Sequence, residues 1–119
     1  MIPSEAYHNV RTWLIGGRRP LLVTHRRPDG DALGAMAAMT YALRALGLDP
    51  QPALYEPLPQ RYALLAGDIR WQSWAAERAR LVAACDTVVV LDTCAWSQLE
   101  PVADYLPTAP RTLVIDHHP

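Results

Sequence analysis

Residues 21–35, LLVTHRRPDGDALGA, set an apolar run against a polar turn carrying His25, Asp29 and Asp31, then open onto an alanine-rich segment. PLLVTH (20–25) reads as a short buried strand. DALGAMAAMTYALRAL (31–46) reads as a long helix, with Asp31 at its start and Gly47 just past its end. Pro28 sets the backbone before Asp29, and Gly30 permits a tight turn that would let both aspartates face one site. Asp31 also fits the helix N-cap. Gly34 would let the start of the helix approach the sheet or a phosphate closely, with the helix dipole favouring an anion.

Outward from this stretch the pattern repeats. SEAYHNVRTWLIG (4–16) places Tyr7, Val10, Trp13 and Leu14 at helical spacing, with Ser4 a candidate N-cap and Gly16–Gly17 a stop. QPALYE (51–56) reads as a second strand that Pro52 marks for a sheet edge. QRYALLA (60–66) suggests a helical turn, and SWAAERARLVAA (73–84) an amphipathic helix begun by Ser73. TVVVLD (87–92) is apolar nearly throughout, as expected of the central strand of a parallel sheet covered on both faces. SQLE (97–100) fits a capping box for a brief helix to about Tyr105, before a last strand, RTLVID (111–116). Strands alternating with helices predict one α/β domain, a parallel Rossmann-like sheet flanked by helices.

Three of these strands end in metal-ligand residue types: His25 with Asp29 and Asp31, then Asp92, then Asp116, His117 and His118. In a parallel sheet such ends share one edge, where open α/β folds bind ligands. Carboxylates gathered there repel one another unless a cation offsets their charge. Mixed imidazole and carboxylate donors suit Mn²⁺, Fe²⁺, Co²⁺ or Zn²⁺ better than Ca²⁺, and this many groups admits two ions about 3.5–4 Å apart. Arg26 and Arg27 are candidates for reaching a substrate phosphate. Taken singly, each acid also has an ordinary reading as a cap or turn residue; their convergence argues for a site.

Composition narrows the chemistry. With 119 residues and half of them apolar, the chain is about one domain in size and can bury a core. A net charge of −1 removes any bulk attraction to a polyanion, so affinity for phosphate must be local. All eleven basic residues are Arg, which excludes Schiff-base and P-loop lysine chemistry for this chain. Cys85 and Cys94 have no zinc or redox spacing, and no apolar run approaches the roughly 18 residues of a membrane span. A reduced, cytoplasmic protein is expected.

These residues resemble the DHH phosphoesterase superfamily, whose motif stands here as IDHH (115–118), with THRRPDGDALGA (24–35) as its first motif and VVVLD (88–92) as its second. The linker EPLPQRYALLAGDI (56–69) is similar to that of the nanoRNase and pAp-phosphatase group, which degrades very short oligoribonucleotides and removes the 3′-phosphate of adenosine 3′,5′-bisphosphate. The resemblance implies two divalent ions, Mn²⁺ before Mg²⁺ or Co²⁺. His25, Asp29 and Asp92 would hold one, and Asp31, Asp92 and His117 the other. It also implies that His118 faces the scissile phosphate, that Asp116 orients its neighbours, and that a hydroxide between the ions attacks phosphorus. Ala35 departs from the family's usual Ser. The family's fourth-motif aspartate and its C-terminal substrate-binding domain have no counterpart in residues 1–119, so an incomplete DHH unit of low activity by itself is expected. The expected partners are short RNA or a small nucleotide, with a second copy of the chain in a homodimer as a further candidate, and no membrane. Alternatives are an inorganic pyrophosphatase, a cyclic or linear dinucleotide phosphodiesterase, and a non-catalytic metal- or nucleotide-binding fragment.

Overall fold

The apolar runs become the strands of one parallel sheet. The computed structural model describes residues 3–65, 67–93, 99, 104–109 and 111–116. The strands are β1 (Pro20–Val23), β2 (Gln51–Leu54), β3 (Gln72–Ser73), β4 (Thr87–Leu91) and β5 (Thr112–Ile115). They lie in the order β3-β2-β1-β4-β5 with every neighbouring pair parallel. Helix α1 (Ser4–Ile15) leads into β1, α2 (Gly30–Ala45) joins β1 to β2, and α3 (Trp74–Ala84) carries the chain from β3 to β4. A 3-10 turn (Gln60–Leu65) lies between β2 and β3, and another (Leu106–Thr108) precedes β5.

Strand alternation divides the core in two. Leu21, Val23, Val88 and Val90 face Trp74 and Leu81 of α3, together with Tyr105 and Leu106. Leu22, Val89 and Leu91 face Leu14 of α1 and Leu33, Met36 and Leu43 of α2. Because β1 and β4 are buried on both faces, their residues must be apolar without alternation, which is why they read as continuous runs. Each fully buried leucine among them contributes about 1.5–3 kcal/mol.

The ends of α2 show how local chemistry frames the site. Its C-terminus closes through Gly47 at φ 85°, with Gly47 N–H donating to the Arg44 carbonyl and Leu48 N–H to that of Leu43. This paired arrangement needs the left-handed backbone that glycine adopts without strain. At its N-terminus the cap is Asp29, not Asp31: the Asp29 carboxylate accepts from the Ala32 amide, and Asp31 stands in the first turn. In α3 the Ser73 side chain caps as expected.

Several expectations are corrected. Pro52 does not mark an edge: β2 lies inside the sheet, and β3, whose two residues carry no strand signal, takes the edge. Pairing to β3 begins at Ala53, one residue past the proline, so β3 makes no demand on the missing amide. The central strand is β1, with β4 beside it; both are equally buried, so burial did not distinguish them. Ser4 does not cap α1, which starts from Pro3 without a side-chain cap, and Tyr7 points to solvent. The helix expected over 97–105 falls mostly outside the described residues.

At the amino ends of β1 and β4, the Asp86 carboxylate accepts from the Arg18 amide at 2.8 Å and the Arg19 amide at 3.0 Å. Burial alone would raise this carboxyl, but the two amides hold it below its ordinary value of 3.8. A depressed native value stabilises the fold above the unfolded value, and that contribution is lost as pH falls through the native one. Asp86→Ala should therefore cost about 1–3 kcal/mol in urea unfolding near neutral pH. The gap from wild type should close as pH drops below 3.8; a gap independent of pH would exclude the carboxylate as its source.

Candidate metal centre

β1 ends at Val23, so Thr24 and His25 leave the sheet at its carboxyl edge. The buried Thr24 hydroxyl donates to the Leu91 carbonyl at 2.7 Å, fastening the end of β1 to the end of β4. With Val23 in register with Val90, His25 and Asp92 emerge from neighbouring strands side by side. Asp92 turns out of β4 at φ 64°. A non-glycine residue enters that region at a cost of about 1–2 kcal/mol, which Asp bears better than most. The Asp92 amide donates to the Ile115 carbonyl at 2.9 Å, so β5 holds the same turn from the other side.

The side chains converge. His25 Nε2 lies 3.5 Å from Asp92 Oδ2 and 4.0 Å from Asp29 Oδ1. One donor atom from each of the three falls within 4.8 Å of the others. The Asp92 side chain is 6% exposed and that of His25 15%, whereas Asp29 reaches the group from the solvent side at 65%. Its carboxyl is held below the ordinary range, chiefly by the Ala32 amide. An imidazole nitrogen with two carboxylates, one of them buried, is a donor set that fits a first-row divalent cation, and such a cation would offset the cost of burying Asp92.

Asp31 is exposed in the first turn of α2, and Asp116, half-buried, follows β5 at the same sheet edge. His117, the third member of the second ion's expected set, and His118 lie outside the described residues, as does Cys94. Arg26 and Arg27 are exposed and line a cavity of about 300 Å³ together with His25 and Asp29. Gly30 is the first residue of α2 rather than a tight turn, and the Tyr62 ring lies 3.5 Å from where a Cβ would stand on it. A Cβ on Gly34 would meet no described atom within 4 Å, so packing against the sheet does not require that glycine. Thr24 and Tyr62 were not singled out from the sequence. The only signal for Thr24 was a hydroxyl closing an otherwise apolar strand just before a histidine.

The capping role of Asp29 can be tested apart from metal binding. Asp29→Ala should destabilise the metal-free protein by about 1 kcal/mol through loss of the cap. Asp29→Ser should restore most of that stability in thermal unfolding without restoring metal affinity; equal stability of the two variants would show that the cap contributes nothing.

Comparison with known proteins places this geometry. Among solved structures, an exopolyphosphatase-related protein from Bacteroides fragilis superposes with a TM-score of 0.87 at 20% sequence identity, over 99% of this chain and 36% of that one. That likeness concerns the fold, and this chain spans about a third of the other's length. No curated protein matches the sequence significantly. The model of the DHH family, N-terminal domain, matches residues 20–119, from β1 through all three strand ends, and on that match the chain belongs to the DHH family.

Proposed function

We propose that this chain is the N-terminal catalytic part of a metal-dependent phosphoester hydrolase acting on short oligoribonucleotides or 3′,5′-bisphosphate nucleotides. The observation that carries the reading is the buried Asp92 carboxylate beside His25 and Asp29 at the carboxyl edge of a parallel sheet. Family membership supports phosphoester hydrolysis in general. The solved relative is described as exopolyphosphatase-related, which agrees with attack on phosphorus–oxygen bonds.

In this reading His25, Asp29 and Asp92 would hold one divalent ion, and Asp31, Asp92 and His117 would hold a second, with Asp92 serving both. Mn²⁺ suits the donor set, and such ions supply a water nucleophile near neutral pH and neutralise charge on the phosphate. The chain's own residues do the positioning. Thr24 and the Asp92 turn fix His25 against Asp92 before any ligand arrives, so little ordering is left to binding. Asp116 would orient its neighbours, His118 would face the scissile phosphate and stabilise charge on its oxygens and leaving group, and Arg26 and Arg27 would attract the anionic substrate as a whole. Among the described residues no helix is long and apolar enough to cross a membrane. A cytoplasmic setting is part of the proposal; Cys85 is a free buried thiol whose value burial pushes up to about 11.

Calorimetric titration with Mn²⁺ tests the reading, alongside assays on adenosine 3′,5′-bisphosphate, a diribonucleotide and pyrophosphate. Mn²⁺ at a hundred times its Kd should stabilise the chain by about 2.7 kcal/mol. Asp92→Asn keeps a residue that tolerates the left-handed backbone. It should therefore unfold cooperatively yet lose about 100-fold or more in Mn²⁺ affinity. Undiminished affinity in that variant would remove Asp92 from the centre, and turnover of pyrophosphate alone would replace the nucleotide assignment.

A further inference from the structure

The cavity beside the metal group runs from the loop after β1 to the loop after β2, and its far wall includes Tyr55, Glu56 and Arg61. Arg61 does not hang free over it. Its guanidinium lies 4.9 Å from the centre of the Tyr62 ring, and that ring sits against Gly30 at the start of α2. Tyr62 also packs on the core cluster formed by Leu33 and Leu54. The 3-10 turn after β2 is thereby tied to the loop that carries Asp29, with Arg61 at the cavity. On the same wall, the Tyr55 hydroxyl donates to the Leu99 carbonyl at 2.9 Å, which fixes the ring.

Ion pairs reach some arginines and leave others, Arg11, Arg18, Arg70 and Arg111 among them, with no carboxylate partner for the guanidinium among the described residues. Arg19, Arg44, Arg78 and Arg80 each have a carboxylate partner. Arg26, Arg27 and Arg61, all lining this one cavity, form no ion pair among the described residues, although Glu56 shares the wall with them. Three unpaired guanidiniums around a pocket of about 300 Å³ suit an anion with several oxygens, because the planar fork binds phosphate through two parallel hydrogen bonds. The Tyr55 ring and the prolines 57 and 59 supply apolar wall for the sugar that carries it.

We propose that this cavity is a subsite for a second phosphate of the substrate, distinct from the phosphate at the metal group, with Arg61, held on Tyr62, as its specificity-determining residue alongside Arg26 and Arg27. The inference deepens the hydrolase reading and rests on it for the place of the first phosphate. It selects substrates bearing two phosphates over simple monoesters.

The test is calorimetric titration of the chain with adenosine 3′,5′-bisphosphate and with adenosine 5′-monophosphate, each with Mn²⁺ and with a chelator. The wild type should bind the bisphosphate about tenfold more tightly, the effect of one charge-assisted contact. Arg61→Ala should lose that preference while Mn²⁺ affinity stays as in wild type, and Arg61→Lys, keeping charge without the fork, should recover part of it. No preference in the wild type, or a preference that survives Arg61→Ala, would overturn the subsite while normal Mn²⁺ binding left the metal reading standing. An Arg61-dependent preference in a chain that binds no Mn²⁺ would do the reverse, supporting the subsite and removing the metal reading.

Discussion

The pairing of β1 with β4 is the constraint on which the rest depends, and it is fastened at both ends. Asp86 binds the amides that lead into β1, and the Thr24 hydroxyl binds the last carbonyl of β4. Between these staples, four residue pairs run in parallel register, buried on both faces. The strand order reverses here: β2 and β3 lie to one side of β1, and β4 and β5 to the other. Where the order reverses, the chains leaving the carboxyl ends diverge and open a crevice, which is the general reason such folds bind ligands there. His25 and Asp92 stand at that point because they directly follow the paired strands.

The site is arranged at some cost to stability. Asp92 takes a left-handed backbone and places a carboxylate out of reach of most solvent. Features of this kind persist where the surroundings over-determine them, and here they do: the Asp92 amide is bound to β5, and the preceding carbonyl is bound to Thr24. Asp29 approaches from the exposed side and doubles as the cap of α2. The group is thus half rigid and half reachable, with His25 and Asp92 held in place and Asp29 open to solvent.

Much of the fold was legible because burial on two faces leaves a plain mark. The runs at 20–23, 87–91 and 112–115 became strands, and Gly47 ended α2 through its positive φ. What was misread lacked such a mark. β3 is two residues long, too short for any period to register. Pro52 carries an edge signal, but its effect depends on where the neighbouring strand starts pairing, which is a matter of register. Asp29 and Asp31 are chemically equal candidates for the cap, and only the backbone path, extended at Asp29 and helical from Gly30, chooses between them.

By itself the sequence determined the layered α/β class, the strand-helix order, and the placing of histidine and aspartates just after apolar runs. These follow from local rules, since periodicity, capping and strand burial act over a few residues. Only the tertiary structure decided that β1 rather than β4 is central, that His25, Asp29 and Asp92 come within 4.8 Å of one another, and that Arg61, thirty-six residues after His25, shares their cavity. Those facts depend on strand order and register across the sheet, and on a tyrosine ring packed against a glycine, which no window of neighbouring residues contains.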